Sequence, residues 1–82
     1  NLSVLTADRS LFEGAIRSVK VPGVLGQFQV LNNHAPIVSA LTAGAVTIVT
    51  EQGESVQFDI EQGFLEVLNN EASLLVQGVA NA

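Results

Sequence analysis

Eighty-two residues, 48% of them hydrophobic and 13% charged, supply one hydrophobic core and collapse readily, which excludes a multidomain enzyme and a disordered segment. The absence of Cys removes disulfides, thiol nucleophiles and thiolate metal sites, so packing has to stabilise the fold. The net charge of −5 is uneven: Arg9, Arg17 and Lys20 are the only cations and every charge after Lys20 is negative, so with no basic cluster neither nucleic acid nor direct lipid insertion is expected.

In chain order, extended segments are expected at residues 2–6, 15–21, 25–30 and 37–41. In the second of these Ile16 is even-numbered while Val19 and Val21 are odd, so either both faces of that strand are covered or a bulge flips its register, and the two together are expected. No Asp, Glu, Lys or Arg occurs in residues 21–50, a stretch expected to face a partner in part. It is not a membrane span, because Pro22, Gly23, Gly26, Asn32, Asn33, His34 and Pro36 interrupt it and no run of about 18 apolar residues exists.

Further on, Val46 and Ile48 alternate with Thr47 and Val49, and Val56, Phe58 and Ile60 alternate with Gln57, Asp59 and Glu61, the period-2 mark of strands with one dry face. With turn chemistry at Glu51-Gln52-Gly53-Glu54, residues 45–60 form a hairpin. A second hairpin joins residues 64–68 to residues 72–77 through Asn69-Asn70, since Asn tolerates the left-handed backbone of tight turns. No window sustains a helical apolar period. The expectation is an all-β fold, a flattened antiparallel sandwich of about nine to ten short strands in one domain over residues 1–82, without parallel pairing, because helical crossovers do not fit this length.

Chemistry is sparsely provisioned. His34 is the only histidine, with Ser39 its nearest nucleophile, and it reads as a loop residue hydrogen-bonding locally or facing a partner. The Asp59/Glu61 and Glu51/Glu54 pairs read as solvated charges, neither resembling a calcium loop. Gly23-Val24-Leu25-Gly26 lacks the Lys and Ser or Thr of a phosphate cradle and is a turn. No catalytic, cofactor-binding or metal-binding residue is expected. Val24 and Leu25 sit between glycines, where apolar side chains call for cover; either they meet a partner, or Leu25 starts the next strand and folds back into the core.

Val21-Pro22-Gly23, the run from Gly26 through Phe28 and Val30 to Leu31, and Asn32-Asn33-His34-Ala35-Pro36-Ile37-Val38-Ser39-Ala40-Leu41 together resemble the N-terminal domain of the epsilon subunit of F-type ATP synthases, called delta in mitochondria. The opening Leu2 to Arg9 block, Phe12-Glu13-Gly14, Gly63-Phe64-Leu65-Glu66-Val67 and Asn69-Asn70 extend the resemblance, in family order, over nearly the whole chain. It implies a ten-stranded flattened β-sandwich at the foot of the rotating central stalk. There such a domain packs on the gamma subunit, touches the polar loops of the membrane c-ring and performs no chemistry. It couples proton- or sodium-driven ring rotation to ATP synthesis, as a peripheral subunit on the cytoplasmic face of a bacterial inner membrane, with the chloroplast or mitochondrial equivalent as the alternative. By position, Gly23, Val24, Leu25, Gly26 and Gln27 resemble the ring-facing loop, and His34, Ala35, Pro36 and Ser39 a stretch near ring and gamma.

Departures are visible too. Many relatives carry an acidic residue where Leu25 stands, so a contact here is apolar or uses backbone groups. Many have Gly at the place of Gln29 and Pro-Gly at that of Asn32-Asn33, where Asn preserves the turn. Typical relatives continue into two C-terminal helices; this sequence closes at Gln77-Gly78-Val79-Ala80-Asn81-Ala82, so neither inhibition nor nucleotide binding by such a hairpin is expected of these residues. The alternative reading is a generic β-sandwich module for a ligand or a peptide strand.

Overall fold

The computed structural model describes residues 1–31 and 35–81. Ten strands occupy them: β1 (Leu2–Leu5), β2 (Ser10–Gly14), β3 (Ile16–Gly23), β4 (Gly26–Leu31), β5 (Ile37–Leu41), β6 (Gly44–Thr50), β7 (Ser55–Ile60), β8 (Gln62–Leu68), β9 (Glu71–Gln77) and β10 (Ala80–Asn81). Hydrogen-bonded ladders run in the order β10-β7-β6-β3-β5-β8-β9-β1-β2, with β4 on the other edge of β3. The path curls into a sandwich, and a single bridge, Gly23 to Leu41, joins β3 to β5. Core side chains come from both halves: Val19, Val21, Val46, Ile48, Phe58 and Ile60 from one, Leu2, Val4, Leu41, Leu65, Leu74 and Val76 from the other.

Period-2 patterning settles where these strands point. Val46 and Ile48 of β6 are fully buried, and Phe58 and Ile60 of β7 lie beneath the surface with them, while Val56 at the strand's start is exposed. Leu74 and Val76 bury on β9 in the same manner. The turn at Asn69 and Asn70 has φ of 52° and 63°, the left-handed pair that a two-residue hairpin needs to match strand twist.

The parity flip in β3 is a bulge. Ile16 pairs with Thr50 and Ser18 with Val49, so Arg17 is an extra residue that one step of β6 does not match. Even-numbered Ile16 and odd-numbered Val19 and Val21 thereby all reach the core. Ser18 and Pro22 are buried as well, so β3 is covered on both faces.

Two features differ from the expectation. Pairing is antiparallel except between β1 and β9, which run parallel, with Leu2 opposite Ala72 and Leu5 opposite Leu75. The crossover argument limits strands adjacent in the chain; here nearly the whole fold is the connection, so no helix is required. Two strands were also missing from the sequence pattern. β2 carries Leu11 and Phe12 side by side rather than alternating, and β10 has only two residues, paired to Asp59 and Phe58.

Gly63 is required by close approach. A Cβ there would lie 2.6 Å from the Leu75 carbonyl oxygen, and β8 pairs with β9 at this point, Gly63 opposite Val76.

Phe58→Ala is expected to destabilise the chain by about 3–5 kcal/mol, lowering the melting temperature by more than about 10 °C in thermal unfolding followed by circular dichroism; an unchanged melting temperature would contradict the strand register.

Candidate functional site

The turn between β3 and β4 has to be tight, because Gly23 pairs with Gly26 across it and a Cβ on Gly23 would meet the Gly26 carbonyl oxygen at 2.7 Å. Two hydrogen bonds tie this corner to β5: the Val24 N–H donates to the Ala40 carbonyl at 3.2 Å, and the Thr42 N–H donates to the Pro22 carbonyl at 2.8 Å. With its backbone so held, the turn thrusts its apolar side chains outward: Val24 is 59% exposed and Leu25 100%. β4 begins at Gly26, after Leu25. Leu25 is therefore a loop tip and not the first core residue of the next strand.

The other expected positions fall nearby in part. Gln27 is exposed on β4, Ala35 and Pro36 are exposed ahead of β5, and Ser39 is half-buried within β5, its hydroxyl donating to the Ala40 carbonyl at 3.3 Å. His34 lies outside the described residues.

The register reveals a row that the sequence reading passed over. Ala40 on β5 stands opposite Phe64 on β8, Phe64 opposite Leu75 on β9, and Leu75 opposite Leu5 on β1. This row crosses the outer face of the sheet, with Phe64 46% and Leu75 52% exposed. An open groove of about 490 Å³ runs along it, lined by Leu5, Ala40, Phe64 and Leu75 and also by the polar Thr6, Gln62 and Gln77. Because Val24 donates to Ala40, the tip and the row adjoin as one band. The row holds no charged side chain; the next one, Val38, Glu66, Ser73 and Ser3, holds one carboxylate.

A sequence signal for the row existed. Consecutive strand residues point to opposite faces, so each apolar doublet, Val4-Leu5, Ala40-Leu41, Phe64-Leu65 and Leu74-Leu75, sends one member inward and one out. Only the register shows that the outward members line up.

Such a band is suited to contact and not to bond-making. Among the described residues no three His, Asp or Glu side chains gather as metal ligands. The family described as "ATP synthase, Delta/Epsilon chain, beta-sandwich domain" matches residues 1–82.

The chain belongs to this family. Among its delta/epsilon relatives, the ATP synthase epsilon chain of Chlorobaculum tepidum is 40% identical over 79 residues, covering 96% of this chain and 90% of the relative. That of Chlorobium limicola is 38% identical with the same coverage. That of Protochlamydia amoebophila is 36% identical over 78 residues, covering 95% of this chain and 53% of the relative, so the chain spans about half of some relatives and most of others. The fold is shared with a chain in the Euglena gracilis mitochondrial ATP synthase, at a TM-score of 0.89 and 20% identity, over 98% of this chain and 51% of that one. A chain of the Tetrahymena thermophila mitochondrial ATP synthase central stalk and c-ring gives a TM-score of 0.83 at 13% identity, over 98% and 64%. Among the described residues of this delta/epsilon β-sandwich, Val24, Leu25, Phe64 and Leu75 are the exposed large apolar residues on the band, while Leu31, Val38, Val56 and Leu68 are exposed elsewhere.

Leu25→Asp is expected to leave the melting temperature within about 3 °C of the parent. Gly23→Ala is expected to lower it clearly, because the added carbon meets a backbone oxygen; both are read by differential scanning calorimetry.

Proposed function

We propose that the chain is a non-catalytic rotor subunit in the central stalk of an F-type ATP synthase, linking the gamma subunit to the membrane c-ring so that ion-driven rotation is coupled to ATP synthesis. The observation that carries this reading beyond family membership is the continuous apolar band from Leu25 through Ala40 and Phe64 to Leu75. In this reading Gly23, Val24, Leu25, Gly26 and Gln27 meet the polar loops of the ring. His34, Ala35, Pro36 and Ser39 lie toward ring and gamma, and the Phe64–Leu75 row packs on gamma. In this reading the chain is a peripheral subunit on the cytoplasmic side of a bacterial membrane.

Physical considerations support the assignment. A joint that passes torque has to resist shear over a broad area, and an uncharged surface desolvates against its partner without stranding an ion. Leu25 has no charge with which to pair, so its contact with the ring is apolar packing, supplemented by backbone groups of the turn. The reading as a generic sugar- or peptide-binding module has less support: Phe12 and Phe28 are half-buried and Phe58 buried, leaving Phe64 as the one exposed aromatic side chain for stacking.

Calorimetric titration into a cognate gamma subunit, or into gamma-containing catalytic complex stripped of its epsilon chain, is expected to give one-to-one binding. Phe64→Glu should weaken that binding by about tenfold or more. In reassembled membranes Leu25→Asp should keep ATP hydrolysis and lose part of ATP-driven ion pumping. Absence of binding with both proteins folded would refute the assignment.

A further inference from the structure

Among the described residues, β2, β4 and β10 each have one side without a ladder partner. A free edge presents unpaired N–H and C=O groups, and proteins protect such edges with charge, bulges or brevity. Two of the three are protected in this way. β2 carries Glu13 and pairs with β1 through a register shift, and β10 is two residues long. β4 has none of these devices: its sequence is GQFQVL, without charge or Pro, and its pairing to β3 runs unbroken from Gly26 to Leu31.

The hydrogen-bond pattern shows which groups the edge presents. Pro22 accepts from Thr42 and Val24 donates to Ala40, so the even-numbered backbone groups at this end of β3 face β5. Odd-numbered Val19, Val21 and Gly23 then bond to Val30, Phe28 and Gly26. Backbone groups alternate sides along a strand, which turns the N–H and C=O of Gln27, Gln29 and Leu31 to the free edge. All three side chains are exposed.

We infer that β4 is a self-association edge: two copies of this chain pair their β4 strands antiparallel about a two-fold axis at Gln29. The composition singles out a second copy as the occupant. On a two-fold axis a residue faces its own copy, so a charge there would meet a like charge, and the on-axis Gln29, like the rest of β4, carries none. With Gln29 opposite Gln29 of the other copy, Gln27 meets Leu31, and these are the hydrogen-bonded pairs. Phe28 meets Val30 on the inner face, where Val30 is buried and Phe28 half-buried, so the apolar face continues across the joint. The β4 edge is distinct from the Phe64–Leu75 row, which lies on a face and not on an edge, but it shares Gln27 with the turn assigned to the ring, so β4 pairing and ring contact compete for that residue.

The test is sedimentation-velocity ultracentrifugation of the chain over a concentration series, with Gln29→Lys, Gln29→Glu, Gln29→Pro and Leu25→Asp as variants, each checked for its fold by circular dichroism. The parent and Leu25→Asp are expected to shift from monomer to dimer alike. Gln29→Lys and Gln29→Glu should each weaken dimerisation by about fivefold or more, and their equimolar mixture should restore it, because opposite charges then meet on the axis. Gln29→Pro, which removes an outward N–H and no ladder bond to β3, should abolish it. A parent that stays monomeric to the solubility limit overturns the inference. Dimerisation lost in Leu25→Asp while Gln29→Lys matches the parent also overturns it, because association then runs through the apolar tip.

Discussion

Everything in this fold depends on the demands placed on β3. It pairs with β4 along one edge and with β6 and then β5 along the other, while burying side chains on both faces. A regular strand presents one parity to one face, so an apolar set of mixed parity can reach a single core only if the strand slips by one residue. The bulge at Arg17 supplies that slip, and the single bridge at Gly23 lets the ladder path continue into the second half of the sandwich. The same corner, held by the Pro22 and Val24 backbone bonds to β5, is what keeps the Leu25 tip pointing outward.

Function follows from this construction by contrast between inside and outside. The core is made almost wholly of aliphatic side chains, with Ser18 and Thr50 the buried polar exceptions among the described residues. The Thr50 hydroxyl accepts a hydrogen bond from the Glu54 N–H and anchors the β6–β7 turn. Outside, exposed large apolar side chains lie along the band from the tip to Leu75 and, elsewhere, at Leu31, Val38, Val56 and Leu68. Exposed apolar area of this kind is costly in water and is relieved by contact.

Much of this was legible in residue order. Alternation at Val46, Ile48, Phe58 and Ile60 marked buried faces because the strand period is two, and Asn69-Asn70 marked a turn because few other residues accept positive φ. The parity change at Ile16 announced a bulge before any partner strand was known. Leu25 stayed ambiguous, since a residue between two glycines fits either a tip or a strand start. The β2 strand escaped notice for a related reason: its edge position leaves it half-buried, and adjacent Leu11 and Phe12 blur the alternation.

Local order thus determined the strand class, the turns, the core parity and the uncharged stretch, because these rest on backbone preference and on a period carried by neighbouring residues. Tertiary structure alone decided the parallel pairing of β1 with β9 and the alignment of Leu5, Ala40, Phe64 and Leu75 into one row. It alone decided, too, that β4 keeps an open edge among the described residues. Those outcomes depend on register between strands far apart in the chain, and register is set by packing and ladder hydrogen bonds that no local pattern encodes.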